Sequence, residues 1–448
     1  MRTTPYECTE CGHRSPRWFG RCPECGGWGS ADDRGPADRP GPRIVSLSGG
    51  AGPSERIPTR VHEVDRVLGG GCVPGEAILL AGEPGIGKST LVLQLMSSLM
   101  SAGVPSLLVS GEESLDQVAM RATRLGAPAD LLRASATADL GEVLAAASQE
   151  DPRVVIVDSI QTLNDADDDG APGSVSQVRA CASALVRYAK LSGAIVILVG
   201  HVTKEGGVAG PKTLEHVVDA VLLLEGERSG SLRLLRATKN RFGPCDETGV
   251  FTMNGKGLAG VPDPSSLLLG DRRTGVPGSI VFPLLEGTRP VLVEIQALIT
   301  QTELKHARRV AIGLDARRLT LLLGVISRHA THVFSQKDVF AAAAGGLSVK
   351  EPAADLALCL AVMSAAGDLP VAPDVIAVGQ VGLGGEVRKV PAVERRLVEA
   401  ARLGFRVALV PEGQASHPDI RTHEVSDLSH ACRLALTTPA TYASQGSA

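Results

Sequence analysis

Ala77-Ile78-Leu79-Leu80-Ala81-Gly82-Glu83-Pro84-Gly85-Ile86-Gly87-Lys88-Ser89 decides the fold. The opening apolar run has the pattern of a strand buried on both faces. It leads into G-x-x-x-x-G-K-S, after which Leu91, Leu95 and Leu99 recur at helical spacing. Strand, glycine-rich loop and helix in that order make a phosphate cradle. Loop N–H groups close around the phosphates, and the helix N-terminus adds its dipole. Lys88 is expected at the β- and γ-phosphates and Ser89 on Mg²⁺, so the expected ligand is ATP with Mg²⁺. The contacting set is Gly82, Glu83, Pro84, Gly85, Ile86, Gly87, Lys88, Ser89 and Thr90.

Downstream, short apolar runs alternate with helical patterns, as in a mostly parallel α/β sheet. Strands are expected at 106–110, 154–157, 194–199 and 220–224, and Ser114 with Gln117 reads as a capping box. Ligands of such sheets bind at the carboxyl ends of the strands. Asp158 ends one strand, as a Walker-B aspartate holding Mg²⁺ does; without the cradle it would read as a helix cap. Glu112 and Glu113 follow another strand, where a carboxylate polarises an attacking water; the alternative is a pair of solvated charges. His201 ends a third, placed to sense the γ-phosphate; the alternative is an ordinary loop histidine.

Upstream, Cys8-x-x-Cys11 and Cys22-x-x-Cys25 have the spacing of a closed, tetrahedral, structural Zn²⁺ site. Gly12 and Gly26 follow the pairs and permit tight turns. A stretch this short cannot bury a sufficient core, so the metal must supply its folding free energy, roughly 10 kcal/mol or more. Trp18, Phe19 and Trp28 serve either as the knuckle's own core, the preferred reading, or as a stacking surface for a base or partner. Composition changes divide the chain into a zinc knuckle (1–30), a Gly/Pro/Asp/Ser-rich linker (31–55), a P-loop domain (56–264) and a second α/β domain (265–448).

With 448 residues, two or three domains are expected. A net charge of −4 excludes a global basic field, so any nucleic-acid contact must be local. No apolar run approaches bilayer length, and the first residues lack a signal-peptide pattern, so no membrane role and a cytoplasmic location are expected. An odd count of nine cysteines fits a reducing compartment with one metal site.

Three further stretches carry a resemblance: Val64-Asp65-Arg66-Val67-Leu68-Gly69-Gly70-Gly71, Ser110-Gly111-Glu112-Glu113-Ser114 and Lys239-Asn240-Arg241-Phe242-Gly243. With the cradle and the knuckle, they resemble the RecA-like ATPases, and especially the RadA (Sms) family of bacterial DNA-repair proteins, along essentially the whole chain. The last 180 or so residues resemble the C-terminal proteolytic domain of Lon. The implied fold is α/β: an N-terminal four-Cys zinc knuckle, a RecA-like P-loop ATPase core and a Lon-protease-like domain. The implied function is DNA-dependent ATP hydrolysis by a homo-oligomeric, hexameric ring. It would translocate on single-stranded and branched DNA and promote branch migration beside a RecA-type recombinase. The resemblance makes Glu112 the catalytic base and His201 the γ-phosphate sensor, and sends Lys239 and Arg241 to a neighbouring subunit's ATP.

DNA would meet the segments after Asp158 and His201. The second holds Lys204 and Lys212. The first holds Asp165, Asp167, Asp168 and Asp169, so Arg179 or Arg187 would have to offset its charge. In the Lon-like region the nucleophile position is Ala353 and the lysine position Glu394, so no proteolysis is expected. Arg388, Lys389, Arg395 and Arg396 are candidate phosphate contacts, each with a solvated-face alternative. Two other functions compete: a Lon-type ATP-dependent protease and a KaiC-like signalling ATPase.

Overall fold

In the first of two units, Met1–Ser54, β1 (Tyr6–Cys8) pairs antiparallel with β2 (Arg14–Ser15) and β3 (Ala31–Asp33). The computed structural model describes residues 6–15, 18–33, 55–201, 211–226, 232–304, 306–330, 332–414 and 416–436. Two matching turns close on the cysteines, with Gly12 N–H donating to Cys8 O (2.9 Å) and Gly26 N–H to Cys22 O (3.0 Å). Both glycines have positive φ, 76° and 75°, which a side chain would strain. The aromatic-core expectation fails for the tryptophans, Trp18 being 64% exposed and Trp28 78%, whereas Phe19 is half-buried with its ring edge-on to His13 at 5.9 Å. Cys8 and Cys22 hold buried positions, while Cys11 and Cys25 are exposed.

The second unit, Glu55–Ala448, opens with α1 (His62–Leu68). There follow β4 (Ala77–Gly82), α2 (Lys88–Ser101), β5 (Ser106–Ser110), α3 (Leu115–Arg124), β6 (Arg133–Ala136) and α4 (Leu140–Glu150). Then come β7 (Val154–Asp158), α5 (Val175–Ser192), β8 (Ile195–His201), α6 (Pro211–Leu214) and β9 (Ala220–Glu225). Next come β10 (Leu232–Asn240), β11 (Thr248–Asn254) and β12 (Gly257–Gly260), and one sheet runs β12-β11-β10-β9-β4-β8-β7-β5-β6. From β9 to β6 it is parallel, and every residue of β4 and β5 is buried, as a sheet covered on both faces requires. Three helix starts around this sheet follow capping chemistry: Ser114 and Gln117 form a capping box, and Asp139 and Ser174 accept from the third helical N–H.

A second sheet follows α7 (Pro264–Leu269) and contains β13 (Ser279–Glu286), β14 (Arg289–Gln301) and β15 (Arg309–Ile312). After α8 (Ala316–His329), β16 (Lys337–Ala343) and α9 (Asp355–Gly367) come β17 (Val375–Ala377), β18 (Gln380–Val381) and β19 (Val387–Arg388). The remainder is α10 (Val393–Arg402), β20 (Val407–Pro411), β21 (Arg421–Val425) and α11 (Leu428–Ala435), and the sheet order is β15-β16-β14-β13-β17-β20-β21. Helix α9 is apolar all round and lies buried against β13 and β14.

The two sheets share a core at a seam. Leu232, Val250 and Val261 from the first pack into the apolar cluster of the second. A buried ion pair crosses it: Arg289, the first residue of β14, reaches Glu63 at 2.7 Å, and the same carboxylate accepts from Val250 N–H at 2.8 Å. Glu63 is 1% exposed, and after Arg289 its nearest guanidinium is Arg66 at 3.9 Å, so removing Arg289 leaves the buried charge poorly compensated. Arg289→Ala is expected to cost ~3–5 kcal/mol of stability. Calorimetric melting checks this; a loss below ~1 kcal/mol would mean that apolar packing alone holds the seam.

Candidate active site

The carboxyl ends of β4, β5, β7 and β8 open into a cavity of about 610 Å³. Lys88, at the start of α2, projects into it and is only 4% exposed. Its Nζ donates to Gly82 O (2.9 Å) and Glu83 O (3.0 Å) and lies 3.0 Å from His201 Nδ1. His201 Nε2 lies 3.3 Å from Glu112 Oε1, which accepts a 2.6 Å bond from Ser159 Oγ. Lys88, His201 and Glu112 thus form one chain of polar contacts, although the sequence separates them widely. Glu113 also lines the cavity but pairs with Arg121, so the adjacent acids have separate partners.

Burial pushes the Lys88 ammonium below its usual pKa, against the raising pull of Asp158 and Glu112. Burial likewise raises the Asp158 carboxyl, and a hydrogen bond from Ser89 opposes it. The Ser89 hydroxyl and the Asp158 carboxylate are hard oxygen donors lining the same cavity as Lys88, a donor set that suits Mg²⁺.

Four residues absent from the sequence-based set also line this cavity: Met253, Asn254, Gly255 and Gly257, from the β11–β12 hairpin. Arg121 and Arg124 of α3 complete that side. No local motif marks the hairpin; about 165 residues separate it from Lys88, and only sheet order brings it back.

Lys239 and Arg241 stand elsewhere. Lys239 pairs in register with Val221, which pairs with Leu79, whereas the cradle begins at Gly82, opposite Leu224. Three residues of strand put Lys239 about 10 Å back from the cradle, toward the opposite end of the sheet. Lys239 Nζ donates to Val218 O (2.7 Å), and Arg241 pairs with Asp219 (3.2 Å). Asp219 also binds Lys190 and accepts from Ala77 N–H (3.0 Å).

Of the segments expected to meet DNA, Lys204 lies outside the described residues. Buried Gln177 organises the acidic one: its Nε2 donates to the carbonyls of Asp165 (3.0 Å), Asp168 (2.7 Å) and Gly170 (3.0 Å). The carbonyls turn inward, while Asp167 and Asp169 are exposed, as are Arg179 and Arg187 on α5.

In the knuckle, the sulfurs of Cys8, Cys11, Cys22 and Cys25 all lie within 4.8 Å of one another. Cys8–Cys25 is 3.6 Å and Cys11–Cys22 3.5 Å. Tetrahedral Zn–S bonds of ~2.3 Å put sulfurs roughly 3.8 Å apart, so the cluster fits zinc. Cys8→Ser is expected to release zinc and unfold the knuckle while the main melting transition stays put. A chelator dye and a thermal melt check this; a fall of the main transition on zinc loss would sink it.

Known proteins match the same three regions. The profile of an AAA domain matches residues 53–207, that of a rubredoxin metal binding domain 6–32, and that of the Lon protease (S16) C-terminal proteolytic domain 325–431. The DNA repair protein RadA of Pseudomonas aeruginosa is 48% identical over 424 residues, covering 92% of this chain and 93% of its own. Its counterpart in Bacillus subtilis is 42% identical over 450 residues, covering 96% and 98%. That of Mycobacterium tuberculosis is 43% identical over 419 residues, covering 91% and 87%. The chain belongs to the RadA family.

In this RadA-family chain the Lon-like region carries no nucleophile at the expected place. Ala353 is buried with only a methyl group to offer, and Glu394 sits on the exposed side of α10. The basic candidates there separate. Arg396 is removed from them: it is fully buried, its Nη1 2.9 Å from Glu351 and its plane over Phe282 at 5.5 Å. It belongs to the inner face of α10 with Val393, Leu397 and Ala400. Arg395 is exposed, Arg388 pairs with Glu386, and Lys389 donates to Gly413 O at 3.2 Å. Among the described residues no helix is long and apolar enough to cross a membrane.

Proposed function

We propose that this chain is a DNA-repair ATPase that turns ATP hydrolysis into movement along single-stranded and branched DNA. It works as a homo-oligomeric ring, hexameric by family resemblance, and promotes branch migration beside a RecA-type recombinase. The observation that carries the ATPase reading is the convergence of Lys88, Asp158, Glu112 and His201 on one cavity at the strand ends. N–H groups of the 82–90 cradle hold the phosphates, and Lys88 neutralises charge on the transferring group. Ser89 and Asp158 would hold Mg²⁺, which when bound supplies Lewis-acid charge to the phosphate oxygens. Glu112, oriented by Ser159, accepts the proton of the attacking water. His201 touches both Lys88 and Glu112 and carries the γ-phosphate state into the segment that follows β8.

Lys239 and Arg241 serve the neighbouring subunit's ATP. Their position back along the sheet from their own cradle supports this, because it sets both side chains away from their own phosphates. The DNA reading rests on the family: the relatives are DNA repair proteins by name. Phosphate release with Mg²⁺, with and without single-stranded DNA at two salt concentrations, tests the function. Stimulation that fades with salt supports it. Turnover indifferent to DNA, or dependent on a protein partner alone, overturns it in favour of a signalling ATPase. Forked-DNA unwinding with each tail polarity, with and without recombinase, tests the motor itself.

A further inference from the structure

The phosphate end of the cavity leaves one direction for the rest of a nucleotide. Asp158, Glu112 and His201 crowd the γ-phosphate side, so the nucleoside must extend past Thr90 toward the β11–β12 hairpin and α3. From that side, Met253, Asn254, Gly255 and Gly257 face Arg121 and Arg124.

The hairpin is built into place. Gln94, on α2 one turn past Thr90, bonds Leu258 both ways: Nε2 donates to Leu258 O and Oε1 accepts from Leu258 N–H, each at 3.0 Å. Leu258 is buried in the core beneath the cradle helix. Gly257 has φ 106°, and a Cβ there would come within 2.8 Å of Leu125 and 2.9 Å of Gln94. Hairpin, α2 and the end of α3 therefore meet with no room for a side chain. Above the cradle, the Met253 methyl would lie 2.6 Å from a Cβ at Gly87.

The groups left facing the cavity suit a planar heterocycle. Arg121 is committed to Glu113, whereas Arg124 makes no ion pair among the described residues. A guanidinium plane stacks on aromatic faces. Asn254 spends its oxygen on Lys256 N–H (2.8 Å), so its Nδ2 hydrogens are the donors it has left. A base ring nitrogen accepts such a bond.

We infer that Arg124 and Asn254 form a nucleobase subsite in which the guanidinium stacks on the base and the Asn254 amide donates to its edge, with Gln94 as the positioning residue that holds the hairpin. The inference rests on the proposed ATP reading and deepens it. Titration calorimetry with Mg²⁺ compares ATPγS, which carries a base, with inorganic tripolyphosphate, which carries none. Arg124→Ala and Asn254→Ala should each weaken ATPγS about tenfold and change tripolyphosphate by less than about twofold, the size of one stacking or edge contact. Arg124→Lys keeps the charge without the plane and should not rescue. Gln94→Ala should show the same selectivity. ATPγS affinity unchanged in both alanine variants, or both ligands weakened alike, overturns the subsite. Wild type that binds neither ligand overturns the nucleotide reading itself, and the subsite with it.

Discussion

Lys88→Ala is expected to abolish ATP turnover, with a loss of at least about 10³-fold, while the chain stays folded. The side chain is buried and its Nζ is held by two cradle carbonyls and His201, so it is already aimed where phosphate charge would sit. Burial lowers its pKa, meaning that the charged form is under-solvated until an anion arrives. A triphosphate supplies that anion. Removing the amine takes a cation from the transferring group at the point where charge develops. The fold should tolerate the change, because the truncated site opens to a water-accessible cavity. Phosphate release measures the rate, and circular dichroism melting controls for folding. Turnover within about tenfold of wild type would refute the site, since loss of a single preorganised transition-state donor already costs more.

Lys239→Ala and Arg241→Ala should keep nucleotide binding yet lose DNA-stimulated turnover by about 10³–10⁵-fold, the worth of a cation supplied in trans. Strand register puts Lys239 behind its own cradle, and Arg241, whose N–H donates to Asp219 O, pairs with the Asp219 carboxylate that Lys190 and Ala77 N–H also anchor. A mixing experiment isolates the trans role. Lys88→Ala subunits have an intact finger and a dead cradle; Arg241→Ala subunits have the reverse. Mixed rings should recover turnover that neither variant shows alone. If the mixture stays inactive, or if Arg241→Ala alone turns over normally, the assignment fails.

Much of this protein was open to reading along one line of sequence. The phosphate cradle needs backbone N–H groups from consecutive residues, so a contiguous motif reports it. The zinc ligands come as two short pairs on two turns, and the sulfur cluster forms where their spacing puts it. The parallel sheet announces itself because strands covered on both faces must be apolar throughout. Each of these depends on neighbours in sequence, which is why pattern and spacing suffice.

What the tertiary structure alone decided depends on residues far apart in the chain. Glu112 rather than Glu113 meets His201 because β8 lies two strands from β5, and Arg121 holds the other acid. The β11–β12 hairpin lines the cavity beside Lys88 although nothing in its composition marks it. Arg396, charged and so expected outside, is buried because Glu351 and the Phe282 ring compensate it. Trp18 and Trp28, aromatic and so expected inside, stay exposed, and Cys8 and Cys22 take the buried positions of the knuckle instead. Local pattern reports what a residue prefers; which partner satisfies that preference is set by long-range packing, and a single sequence does not display it.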